Sequence, residues 1–200
     1  MKILQLCFIF AFSVLFVGCG VIGMQSMTPQ QVVARANPPN AGEQRVYATK
    51  PAGNGALVVL RALNPPAGEF LLGYGIATKG ALGWESSEGG SAGGTADNTK
   101  PLYLYISSQN TPPNRNLVYG MVNDPRVQTV VAQFANGQTI QDEIENGLFG
   151  IVAEPKSALC RIDFRDARLQ NLYGYDFTQA LDDDPAIFGA DTDWAKKECQ

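Results

Sequence analysis

The chain has 200 residues, with Lys+Arg 15, Asp+Glu 19, no histidine, four cysteines and a formal net charge of -4. The missing histidine excludes Ser-His-Asp and Cys-His catalysis, imidazole proton shuttles and imidazole metal ligands. Four scattered cysteines do not make a zinc finger or ribbon, and the charge balance leaves no basic footprint for nucleic acid.

Lys2 is followed by an apolar run that ends in Phe16-Val17-Gly18-Cys19. A short positive start, an apolar stretch and a small residue before the end are the layout of an export signal. The segment resembles the bacterial lipoprotein lipobox, with Phe16 standing where Leu is usual. The resemblance implies cleavage before Cys19 and lipid attachment there, so residues 1–18 form the signal peptide. The other reading is an uncleaved anchor. The apolar stretch continues through Val21-Ile22-Gly23-Met24, about 20 residues in all, enough to span a bilayer. Both readings put the folded part on the extracytoplasmic face of the cell membrane.

Residues 19–44 read as a tether. Thr28-Pro29-Gln30-Gln31 is a helix start, with Thr as N-cap, Pro at the first helical position and Gln three residues on. Asn37-Pro38-Pro39-Asn40 stops any such helix early.

Residues 45–176 form the expected β-rich domain, in which short alternating runs are separated by turn residues. The runs are 45–49, 56–63, 69–78, 82–86, 102–107, 117–122, 126–134, 138–145, 148–153, 159–164 and 168–175. Residues 86–98, rich in Gly and Ser, read as a flexible loop. Asn136-Gly137 and Asn146-Gly147 are preferred type I′ hairpin dipeptides. They predict a three-stranded antiparallel meander over 126–153. Arg161, Asp163 and Arg165 alternate with Cys160, Ile162 and Phe164, giving one charged face and one buried face. The expected class is all-β: an antiparallel β-sandwich or barrel-like meander with short helical or irregular extensions at both ends.

Residues 177–200 read as an acidic C-terminal tail. The chain's excess of negative charge sits here and just before it, in Asp176, Asp182, Asp183, Asp184, Asp191, Asp193 and Glu198 against Lys196 and Lys197. Cys160 and Cys199 are an even pair in an exported chain, which permits one disulfide. A buried free thiol at Cys160 is the alternative.

No arrangement declares a catalytic, cofactor or metal site. Gly89-Gly90-Ser91-Ala92-Gly93-Gly94 lacks the Gly-Lys-Ser/Thr ending of a phosphate loop. The tail aspartates do not follow EF-hand spacing. Asp142, Glu143 and Glu145 are the densest acidic group: Glu143 and Glu145 share one face of a strand, Asp142 shares the opposite one with Ile140 and Ile144, and the group reads as belonging to the solvent side of an amphipathic strand. Lys50, Lys79, Lys100 and Lys156 flank turn residues and read as exposed, so none is expected to activate a serine. Trp84, Tyr103, Tyr105, Tyr173 and Tyr175 are the candidate binding surface, because exposed Tyr and Trp make recognition hot spots; the other reading makes them two-sided sandwich positions with both faces partly covered.

Ala56-Leu57-Val58-Val59-Leu60, Gly73-Tyr74-Gly75, Gly83-Trp84 and the run from Leu117 to Val127 together resemble uncharacterised secreted and lipid-anchored proteins of Gram-positive, spore-forming bacteria. The resemblance implies an extracytoplasmic β-rich fold and no activity. The expected function is that of a membrane-anchored, non-catalytic binding domain of the cell envelope, whose partner is an envelope protein or polymer. Two alternatives stand beside it. One is a carboxylate-dependent hydrolase of wall or extracellular polymer, with two acids about 5 Å or about 6.5–9.5 Å apart across a cleft. The other is a structural or regulatory modulator of a membrane partner.

Overall fold

A computed structural model describes residues 27–81, 83–95, 99–109, 113–179, 187–189 and 192–199. The lipobox with Cys19, the apolar leader, and Asp182, Asp183, Asp184 and Asp191 lie outside the described residues. The elements in chain order are α1 (Pro29–Ala36), β1 (Arg45–Ala52), β2 (Gly55–Ala62), β3 (Glu69–Gly80) and β4 (Gly83–Thr95). Then come β5 (Leu102–Gln109), β6 (Arg115–Val122), β7 (Thr129–Phe134), β8 (Thr139–Glu143) and β9 (Leu148–Ala153). The chain closes with β10 (Leu159–Arg165), β11 (Asn171–Asp176), β12 (Ile187–Phe188) and α2 (Thr192–Glu198).

The strands form three four-stranded sheets, none closed into a barrel, ordered β1-β2-β3-β4, β12-β5-β6-β9 and β11-β10-β7-β8. Side-chain parity stacks them in three layers, with the second sheet in the middle. On β2, Leu57 and Val59 face Tyr103, Leu117, Tyr119 and Leu148 of the middle sheet. On the other side of that sheet, Leu104, Val118, Phe149 and Ile151 pack against Val130, Ala132, Ile162 and Phe164 of the third. A strand covered on both faces has no polar side to show. Hence β6 is buried along its whole length, and its sequence runs apolar instead of alternating.

The outer face of the first sheet carries α1. Thr28 caps it, accepting from Gln31 N–H, while the Gln31 side chain accepts from Thr28 N–H. Val33, fully buried, docks with Val58, Leu60 and Ala77. Gly75 makes this approach close, since a Cβ there would sit 2.4 Å from Val33 Cγ1. Part of the expected tether therefore belongs to the folded body.

The segment expected as a loop over 86–98 is instead largely β4, paired with β3 to Thr95. Two of its glycines sit opposite aromatic rings. A Cβ on Gly90 would lie 3.1 Å from the Tyr74 ring, and one on Gly94 would lie 3.2 Å from the Phe70 ring. The rings cover the bare backbone, an aromatic rescue that local composition does not reveal. Ser87 is the extra residue of a bulge in this pairing, and its hydroxyl donates to Ile76 O at 3.2 Å.

The expected three-stranded meander is split between two sheets. β7 pairs β8, but β9 pairs β6 in the middle sheet. The crossing is made at Asn146 (φ 55°) and Gly147 (φ 69°), both left-handed as a type I′ turn requires. At Asn136-Gly137 only Gly137 is left-handed, so that turn is not type I′. β9 leaves the third sheet because Leu148-Phe149-Gly150-Ile151 is apolar on both faces, which suits the middle layer and not an outer one.

The acidic tail also folds back in part. Phe177 is buried, β12 pairs in parallel with β5, and Cys199 is disulfide-bonded to Cys160 with Cα atoms 5.6 Å apart. No helix of the described residues is long and apolar enough to cross a membrane.

Candidate functional site

The five aromatic residues expected to form one surface lie in separate places. Tyr103 is only 3% exposed and packs its ring 4.6 Å from Phe70 between the first two sheets. Tyr105 stacks between Tyr119 at 5.7 Å and Phe188 at 4.5 Å, and burial pushes its hydroxyl pKa up to about 12. Trp84 is half-buried on the outer face of the first sheet, against the α1 contact. Tyr175 meets Phe164 edge-on at the margin of the other core. Tyr173 donates to Asp124 Oδ2 at 2.6 Å. The alternation read from sequence is right, but both faces of β5 are covered, so alternation there does not mean exposure.

The open surface lies at the rim of the first sheet. A cleft of about 840 Å³ is lined by Asn40–Glu43, Asn64–Pro66, Glu69–Leu71 and Gly93–Thr95, with Ala62. A smaller depression of about 340 Å³ adjoins it beside Tyr74, Gly90 and Ser91, sharing Asn40 and Leu71. The segment between them is held firmly. Arg45 binds Glu43 at 2.5 and 3.1 Å and donates to Asn37 O at 2.8 Å. These bonds, with Asn40 N–H, keep the Glu43 carboxyl below its ordinary range.

Both hollows run beside β4, the edge strand of its sheet. Among the described residues, no backbone group pairs with the outer edge of β4. An edge of this length, poor in bulky side chains, is a template for another strand. The strand is held in place from behind by Arg115, which is buried at the start of β6. Arg115 donates to Glu88 at 3.0 Å, Glu154 at 3.2 Å and Gln109 at 2.7 Å.

A second concentration of chemistry joins the layers. Lys50, expected to be exposed, is 6% exposed. Its ammonium lies 3.1 Å from Asp142 Oδ1 and 3.9 Å from Glu145 Oε2, and it donates to Glu143 O at 2.5 Å. Asp142 Oδ2 accepts from Gly150 N–H at 2.9 Å. Burial outweighs these partners and holds the Asp142 carboxyl above its ordinary range. The overlooked signal was parity: Lys50 shares the inward side of β1 with Ala48 and Ala52, and the flanking alanines leave room for its stem.

The acidic residues of the β body, Asp142, Asp163 and Asp166, do not gather around one opening. Asp142 is tied to Lys50. Asp163, 3% exposed, is bridged by Arg161 at 2.9 Å and Arg165 at 3.6 Å. Asp166 caps its own turn by accepting from the Arg168 and Gln170 N–H groups. Among the described residues, no group of three or more acids and cysteines is placed to hold a metal ion. No family model, no curated protein and no solved structure matches this chain.

Proposed function

We propose that the protein is a lipid-anchored, extracytoplasmic and non-catalytic binding domain of the cell envelope, and that it takes an extended peptide segment of an envelope protein along β4. The observation that carries the reading is the unpaired outer edge of β4 running past the cleft. Strand addition draws affinity from main-chain hydrogen bonds and specificity from adjoining hollows that receive alternate side chains. Phe70 and Leu71 offer apolar lining there, while Asn40, Asn64 and Glu69 offer polar groups. Placement outside the cytoplasm rests on the lipobox-like leader.

A photo-crosslinking residue in place of Ser91 tests the reading in envelope extract. The expected result is a discrete crosslinked protein, with the attachment mapped to one extended segment of it. With the crosslinker kept at position 91, the double variant Gly93→Lys, Thr95→Lys should abolish that product while the domain stays folded, since edge lysines oppose strand pairing. A crosslinking pattern unchanged by the double variant would remove the β4 reading.

A carboxylate hydrolase is the second reading, and the observation in its favour is that Glu43 and Glu69 both line the cleft. Release of sugars from wall polymer by the wild type, lost in Glu43→Gln and in Glu69→Gln, would establish it over strand binding.

A further inference from the structure

The Lys50 site does not serve the binding surface, and its geometry goes beyond that of an ordinary ion pair. A buried primary amine sits against a half-buried carboxyl, the exposed Glu145 stands beside the amine, and a backbone donor holds the carboxyl's far oxygen. We propose that Lys50 and Asp142 are joined by an intramolecular isopeptide bond, formed by the protein itself with Glu145 as proton shuttle.

The chemistry is a condensation that needs no external reagent. Proton transfer within the pair turns the ammonium and carboxylate into amine and carboxylic acid. Desolvation of the carboxyl favours its protonated form. The raised Asp142 pKa agrees with that direction. The Lys50 Nζ lone pair then attacks Asp142 Cγ. Oδ2, held by Gly150 N–H at 2.9 Å, carries the developing negative charge, the task of an oxyanion-hole donor. Oδ1, the oxygen 3.1 Å from Nζ, is the leaving group. Glu145, 3.9 Å from Nζ, takes a proton from the attacking nitrogen and returns it to Oδ1, which departs as water. One C–N bond forms, one C–O bond breaks, one water leaves, and nothing is oxidised or reduced.

Position supplies what free amines and acids in water lack. The Glu143 carbonyl fixes the amine by a 2.5 Å bond, so the reactants meet as a unimolecular pair with a high effective concentration. Gly150 makes the approach possible. A Cβ there would lie 3.3 Å from Lys50 Cγ and 2.8 Å from Leu57 Cδ2 and Val59 Cγ2, so any side chain would push β1 and β2 away from β9. The bond would tie β1 of the first sheet to β8 of the third, across the edge of the middle layer. Such a tie suits a domain that carries load between a membrane and a bound partner.

Mass spectrometry of the full chain, purified in mild detergent and reduced, tests the proposal. The expected mass is one water lower than that calculated for the purified, N-terminally processed chain, with Lys50→Arg prepared in the same way as the unlinked reference. Trypsin should release peptides 46–61 and 127–156 as one covalent species, because Lys50 precedes Pro51 and is not cleaved. Lys50→Arg and Asp142→Ala should show the unlinked mass and separate peptides. Asp142→Asn should form the same link by losing ammonia in place of water, which a merely structural ion pair would not do. Glu145→Gln should slow the linkage at least tenfold after refolding. Folded wild-type protein with an unshifted mass and separate peptides would overturn the proposal, and so would an Asp142→Asn variant that folds but never loses ammonia. Neither result bears on strand binding at β4, so the two readings fail separately.

Discussion

Breaking the Cys160–Cys199 disulfide should cost at most about 4 kcal/mol, and the structure says where the loss appears. The two cysteines are 39 residues apart. A crosslink closing a loop of that length removes about 4 kcal/mol of unfolded-chain entropy at 25 °C in the chain-entropy model. Phe177 and Ala195 are buried, β12 contributes two residue pairs, and Lys156 Nζ sits 4.9 Å over the Trp194 ring. Burial of one Phe contributes roughly 1.5–3 kcal/mol and an exposed cation–π contact about 0.5–1 kcal/mol. Against them, ordering the backbone costs about 1–2 kcal/mol for each residue. The covalent link therefore keeps α2 docked, and reduction should free α2 before the sheets unfold. Urea unfolding with and without a phosphine reductant, alongside hydrogen exchange at α2, measures both steps. The urea midpoint should fall on reduction by the free energy lost divided by the slope, which is about 1–3 kcal/mol/M for small proteins, and α2 should lose protection first. In the double variant Cys160→Ser, Cys199→Ser the effect of reductant should vanish. A wild-type midpoint that reductant leaves in place, with both thiols shown to be free, would refute the argument. An equal reductant effect in the double variant would refute the assignment to this pair.

Three further outcomes follow from the packing and the charges. Gly150→Ala should destabilise the protein by roughly 1–3 kcal/mol through overpacking between the first and middle sheets, read as a lower urea midpoint with an unchanged slope. Val33→Ala should cost about 2 kcal/mol, because Val33 is fully buried under α1; no loss would return α1 to the status of a tether. The two carboxyls give opposite signs with pH. Arg126 and Tyr173 hold Asp124 below its ordinary range, so its contribution is present above the usual carboxylate pKa and is lost as pH falls toward the depressed value. Asp142 is held above its range by burial, so in unlinked protein such as Lys50→Arg its contribution is lost as pH rises from the usual carboxylate value to the raised one. Urea midpoints from acid to neutral pH in Asp124→Asn and in Lys50→Arg with and without Asp142→Asn should resolve the two slopes.

Local chemistry was enough to determine the all-β class, most strand positions, the Thr28 capping box and Cys160 and Cys199 as a pair worth bridging. Each depends on residues a few positions apart: alternation marks a strand, and a side-chain oxygen beside free N–H groups marks a helix start. The absence of histidine likewise holds whatever the fold. Alternation does not say which neighbour covers a face. For that reason Tyr103 and Tyr105 read equally as surface or as covered positions, which the second sheet over them decides, and 148–153 read as a third meander strand although it belongs to the middle layer. The glycines of β4 resembled a loop until Phe70 and Tyr74 came to lie against them. Lys50 resembled a turn lysine until β1, β8 and β9 met around it. Those juxtapositions join residues apart in the chain, through strand pairing at β4 and through the stacking of three sheets elsewhere. The free edge of β4 and the Lys50–Asp142 pair, the two features on which function is argued, both arise at that level.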